Sequence, residues 1–155
     1  MGNILAKLFI GATITVIGAF GADNSLGNWK LNLEKSTYNP GPPAVKSLTA
    51  ARQASEQGVS SVSSGELANG DSINSSYTAK YDGKDYPVTG APWDTVAIKQ
   101  VDANTFTSAS KKTGGTYNAT SRTEISKDGN IMTVASKGTN AEGKAFDNLL
   151  VYDKQ

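Results

Sequence analysis

The chain has 155 residues, enough for one domain, with no cysteine, no histidine and a formal charge of +1. Those two absences remove disulfides, the commonest metal ligands and the usual nucleophile–base pairs, so they argue against an enzyme. No basic stripe is present, so neither nucleic acid nor anionic lipid is an expected partner.

Residues 1–21 read as a secretory signal peptide. Lys7 precedes an uncharged run from Leu8 to Phe20, about 13 residues, against the roughly 20 that a bilayer span needs. Ala19-Phe20-Gly21 fits the small-x-small cleavage rule and places the cut after Gly21, with Ala22 as second choice. An uncleaved anchor is the competing reading. All 14 acidic residues and 14 of the 15 basic ones lie beyond the cut, so residues 22–155 are formally neutral. They are expected to form one exported, soluble domain, periplasmic or extracellular, monomeric and without a membrane span.

Beyond the cut, no stretch of a dozen residues repeats apolar positions at three and four. Short alternating runs rich in Thr, Val and Tyr follow one another instead, with turn signals roughly every 8 to 14 residues. In "GNWKLNL", Trp29, Leu31 and Leu33 alternate with polar residues, so one face is buried. "STYNPGPPAVKS" is an extended connection in which Pro42 and Pro43 exclude a helix start or a central strand. Strands are expected from Val45 to Ala54 and from Val59 to Leu67. In the next, Ile73, Ser75, Tyr77, Ala79 and Tyr81 share a face. "DTVAIKQV", "FTSASKK", "TYNATSRTEIS", "IMTVASKG" and "AFDNLLVYDK" complete the series. The fold expected is all-β, an antiparallel up-and-down barrel of 8 to 10 strands.

Large apolar residues are sparse at the inward positions, where Ser, Thr, Ala and Tyr are common. A barrel around a partly polar, solvated cavity and a shallow core of small residues both fit. Asx-Gly or Glu-Gly pairs at Asn69, Asp82, Asp128 and Glu142 punctuate the runs and read as hairpin turns. Calcium needs about six to eight converging oxygens, which these loops do not supply, so no metal or other cofactor is expected. "DYPVTGAPWDT" stands apart, because no other turn combines two prolines with a tryptophan. Pro87 cannot donate to a ladder, so pairing must weaken there. Tyr86, Pro87 and Trp93 are therefore candidates for one rim of an opening. Tyr77, Tyr81, Phe106 and Tyr117 are the aromatic candidates for lining a lumen. Arg122 falls mid-strand, where it can bind a ligand carboxylate or sit solvated beside Glu124. Asp85 and Asp94 both fall in this region, and nothing in their spacing makes a catalytic pair.

"GNWKLNLEKSTYNPGPP", "YTAKYDGKDYPVTG", "DTVAIKQVDANT" and the segment from "SKDGNIMTVASKG" to the end together resemble a group of functionally uncharacterised secreted bacterial proteins. That group is similar to lipocalin-like, or calycin, β-barrels. Gly27-x-Trp29 looks like the lipocalin signature whose tryptophan plugs the closed end of the barrel. Tyr152 and Lys154 match the closing strand of fatty-acid-binding proteins, which ends in Arg-x-Tyr-x-Lys, but Leu150 stands where the carboxylate-binding arginine would be. The resemblance implies a lipocalin- or fatty-acid-binding-protein-like barrel holding a small apolar or amphipathic ligand, with Tyr152 among its contacts. A cell-envelope module that binds protein or glycan through its outer surface is the alternative.

Overall fold

The computed structural model describes residues 21–155. The expected signal peptide, residues 1–21, lies outside the described residues apart from Gly21. Ten strands follow one another: β1 (Gly27–Leu31), β2 (Val45–Ser55), β3 (Gly58–Leu67), β4 (Ser72–Lys80), β5 (Tyr86–Thr89), β6 (Thr95–Asp102), β7 (Thr105–Lys111), β8 (Asn118–Ile125), β9 (Ile131–Thr139) and β10 (Ala145–Lys154). Each pairs antiparallel with its neighbour in sequence, and β1 also pairs with β10, so the sheet closes into an up-and-down barrel. Closure rests on Trp29↔Lys154, Lys30↔Asp153 and Leu31↔Tyr152. It removes the free edges that an open meander would leave.

The expected Asx-Gly turns join consecutive strands. Between β4 and β5, Gly83 adopts φ +74°, and the Asp82 carboxylate accepts a hydrogen bond of 3.0 Å from the Lys84 N–H. Glycine takes that conformation without a Cβ penalty, and the aspartate satisfies the turn's own backbone. β5 is the shortest strand. It has two register pairs with β4 and two with β6, the latter being Tyr86↔Val96 and Pro87↔Thr95. A proline without an N–H limits the ladder here, as its position in the sequence requires.

The long connection from β1 to β2 runs along the sheet. Thr37 pairs with Leu149, and the Asp147 N–H donates to the Asn39 carbonyl at 2.8 Å. This segment extends the line of β1 beside β10 and turns Tyr38 inward.

Strand register sorts every side chain. Trp29, Ala50, Ser63, Ser75, Val96, Ser110, Ala119, Gly138 and Phe146 belong to one continuous inward face. The end of the barrel where the chain enters β1 is packed solid. Trp29, Val59, Ala79, Ile98, Phe106, Ile125 and Met132 are all buried there. This end is the floor.

The segment preceding β1 folds beneath the floor. The Asn24 N–H donates to the Ala103 carbonyl at 3.0 Å, and Gln100 Nε2 donates to the Ala22 carbonyl at 3.0 Å. The Trp29 indole N–H donates to the Ser25 carbonyl at 2.8 Å, and the Lys154 ammonium lies 5.2 Å from the indole centroid. Trp29 is thus wholly enclosed and its one polar atom is paired. Trp29→Ala should cost about 3–5 kcal/mol in chemical denaturation, the usual range for deleting a fully buried aromatic side chain.

Candidate functional site

Above the floor the inward face changes character. Ser63, Ser75, Ser108, Ser110, Ser121 and Ser136 all point inward by register, and all six are only half-buried. Ser108, Ser121 and Ser136 lie directly across from one another on β7, β8 and β9. None of these hydroxyls is a buried atom lacking a partner. The hydroxyl ladders that do form lie on the outer face, Thr49 with Ser64 and Thr78 with Ser60. Side chains this small leave the barrel's interior, its lumen, loosely filled at this level. Leu48, Ala50, Val134 and Leu150 line its lower part and pack against Trp29, Met132 and Tyr152.

Where lumen meets floor, a polar network surrounds Arg52. Leu48, Ala50 and Arg52 alternate on the inward face of β2, which brings the guanidinium inside the barrel. Arg52 Nε and Nη2 donate to Ser25 Oγ at 3.3 and 3.2 Å, and Nη1 donates to the Tyr77 hydroxyl at 3.1 Å. Ser25 is fully buried, and its Oγ donates in turn to Asp23 Oδ1 at 2.6 Å. The other Asp23 oxygen accepts from the Tyr81 hydroxyl at 2.5 Å. Burial opposes the Arg52 charge, but Tyr77, Tyr81 and Asp23 outweigh it and raise its pKa.

Two phenols beside this network lack a partner. Tyr152 is 7% exposed, and its hydroxyl bonds no described residue. Burial, the larger effect, raises its pKa, and the Tyr38, Arg52 and Tyr77 groups lie near enough to act on it. The Tyr38 hydroxyl is buried with no hydrogen-bond partner, and burial raises its pKa as well.

The expected lining residues therefore divide. Tyr77 and Tyr152 face the lumen. Tyr81 and Phe106 belong to the floor, with ring centroids 5.3 Å apart. Tyr117 sits at the opposite, upper end, stacked on Trp93 at 4.9 Å and tilted against Phe146 at 6.2 Å.

Arg122 is not in the lumen. Its register partners are Thr107 and Ala135, which face outward, and its Nε donates to Glu124 at 2.8 Å. The proposed single rim is also split. Tyr86 starts β5 near the floor, packs on the buried Val59, Ala79, Val96 and Ile98, and donates its hydroxyl to Asp82 at 2.9 Å. Pro87 is exposed on the outer wall, and Trp93 alone borders the upper end. One four-residue strand separates Tyr86 from Trp93, so the two lie at opposite ends of the barrel. Asp85 pairs with Lys111, and Asp94 accepts from Thr113 while pairing with Lys112. These two carboxylates serve exposed loops and do not face each other.

Sequence reasoning missed Arg52, Tyr38 and Asp23. The alternation of Leu48 and Ala50 with Arg52 was the available sign for the first. A depression of about 600 Å3 lies against outward side chains of β6 to β9, Thr107, Thr120 and Ala135 among them, and Ser108, Ser121 and Ser136 also belong to its lining.

No protein-family model matches the chain, and no curated protein matches it. Among solved structures it is similar to zebrafish ileal bile acid-binding protein complexed with cholic acid, with 10% identity and a TM-score of 0.49 over 86% of this chain and 100% of that one.

Ser25→Ala removes the hydroxyl that joins Arg52 to Asp23 and should lower stability by about 1–3 kcal/mol in urea denaturation. Arg122→Ala, made as its control, should leave the midpoint where it is, since an exposed pair contributes little. Burial also raises the Tyr117 phenol to about 12, against an ordinary value of about 10. A raised acid stabilises the fold below its unfolded pKa, and that contribution is lost as pH climbs toward the folded one. Stability should therefore fall between about pH 10 and 12. In phenolate absorbance, Tyr117 should ionise near 12 while the barrel stays folded, and titration at the ordinary value would contradict the packing.

Proposed function

We propose that the protein is an exported, non-catalytic barrel that holds a small amphipathic molecule in its lumen. The observation that carries this reading is the ring of six inward, half-buried serines above a fully packed floor. A core selected only for stability would fill that space with branched aliphatic side chains. Apolar walls at Leu48 and Leu150, with a few converging polar groups below, are the usual makings of a small-molecule site. The Trp93, Tyr117 and Phe146 cluster marks the end of the barrel nearer that lumen.

A second reading has its own observation. The outer depression of about 600 Å3 suits a module that docks protein or glycan through its wall. Ser75 on β4 and Thr120 on β8 separate the two, because Ser75 faces the lumen by register and lies away from the depression, whereas Thr120 lines it.

Binding of N-phenyl-1-naphthylamine, a neutral apolar dye, reads lumen occupancy directly. Ser75→Phe should weaken dye binding about tenfold or more with little change in melting temperature, and Thr120→Phe should leave it unchanged. Native mass spectrometry of protein from its own host should also show extra mass that organic solvent releases. Protein that neither carries such mass nor brightens the dye would overturn lumen binding.

A further inference from the structure

Three half-buried aromatics meet at the upper end of the barrel. Trp93 comes from the β5–β6 connection, Tyr117 stands directly before β8, and Phe146 lies near the start of β10. Along the sheet, β6, β8 and β10 are each two strand spacings apart, roughly 9 to 10 Å. The ring centroids are much closer, 4.9 Å from Trp93 to Tyr117 and 6.2 Å from Tyr117 to Phe146. The rings therefore lean together. Register turns them to the inside. Phe146 shares an inward rung with Ser110, Ala119 and Gly138. Tyr117 keeps the parity of Ala119, since its carbonyl still accepts from the Lys112 N–H at 3.0 Å. The cluster is a roof over one side of the lumen.

The roof is held differently from the floor. Ser110, Ala119 and Gly138 are too small to give the rings much wall to grip, so their contacts with one another carry the arrangement. The connections behind them are clasped together. Asp94 accepts from the Thr113 N–H at 2.9 Å and from its hydroxyl at 3.1 Å, and it pairs with Lys112 at 3.5 Å. The Thr116 hydroxyl donates to the Ala141 carbonyl at 2.7 Å. These bonds are exposed to water, where each contributes little. Between the two clasps lie Gly114 and Gly115, both exposed, with Gly114 at φ +70°. Neither has a side chain to stiffen the backbone. Trp29 in the floor, by contrast, is wholly enclosed and bonded from within. The roof has a large apolar area and a weak attachment.

Resting on the lumen reading above, we propose that Trp93, Tyr117 and Phe146 form a lid, shut in this structure, that opens about Gly114 and Gly115 to let the ligand pass. Its catch is the Trp93–Tyr117 stack together with the bonds from Thr113 to Asp94. Opening breaks contacts that are individually small, and it leaves the strand ladders intact.

Stopped-flow mixing with N-phenyl-1-naphthylamine tests this. In the wild type, the observed rate should level off as dye is raised, because opening becomes the slow step. Tyr117→Ala removes both aromatic contacts, and Asp94→Ala frees the catch. Each should raise the association and dissociation rates together, about tenfold for Tyr117→Ala, with Kd changed less than about threefold. Loss of a mere wall contact would raise the dissociation rate alone. Val101→Ala, exposed at the floor end, should leave both rates unchanged. Asp94→Ala touches only exposed bonds and should melt close to the wild type, so it decides the matter if Tyr117→Ala does not fold. An association rate that stays at the wild-type value in the folded variants, or a dissociation rate that rises alone, would overturn the lid and leave lumen binding standing. Dye that never brightens would overturn both.

Discussion

A guanidinium enclosed by a β-barrel is tolerated only when its hydrogen bonds and its charge are met nearby. The sheet around Arg52 cannot meet them, because its inward neighbours there are Trp29, Ala50, Val59 and Ser61. The partner comes from outside the sheet. Ser25 brings its hydroxyl to two guanidinium nitrogens and its carbonyl to the Trp29 indole. Asp23 follows with the compensating charge. A segment that would otherwise be a loose leader to β1 is thereby held as the underside of the barrel. Trp29 is sealed and the floor is closed from below.

The barrel then divides along its axis. Large apolar side chains fill the floor, where hydrophobic burial is most complete. Small polar side chains fill the upper half, where the same sheet gives up packing and gains space. Arg52, Tyr77 and Tyr152 occupy the boundary, so the strongest polar groups lie at the bottom of the accessible volume, not at its entrance. On the proposed lumen reading, a ligand entering from above would meet serine hydroxyls before the fixed donors, so that an amphipathic molecule would lie with its polar end inward.

The alternation of side chains made the architecture legible. An antiparallel meander of 8 to 10 strands follows from nine alternating runs, four of whose connections carry Asx-Gly or Glu-Gly turns, and the structure has that order with the short β5 added. The inward face of "SINSSYTAKY" was also readable, since Tyr77 and Ala79 share parity with Ile73. The arginines were harder. Arg52 and Arg122 both fall mid-strand, and only their company separates them. Leu48 and Ala50 share a face with Arg52, whereas Thr120 and Glu124 share one with Arg122. Tyr38 was hidden in a proline-rich connection that has no periodicity of its own, and becomes inward only because Thr37 pairs with Leu149. Asp23 was invisible for a different reason, since no local pattern tells the residues ahead of β1 that they will fold beneath a barrel. The split of Tyr86 from Trp93 came from strand length, which a single proline shortens but does not specify.

The pairing of β1 has a kinetic meaning. Nine strands from β2 to β10 are linked by local hairpins, each formable with little loss of chain entropy. The contact between β1 and β10 joins opposite ends of the domain and is the costliest in sequence separation. It is made by a five-residue strand that directly follows Asp23 and Ser25. Sealing the floor and shutting the barrel are consequently one event. Until the first dozen described residues dock, Arg52 has no counter-charge, β10 has an open edge, and the sheet is a curled ribbon with a polar seam.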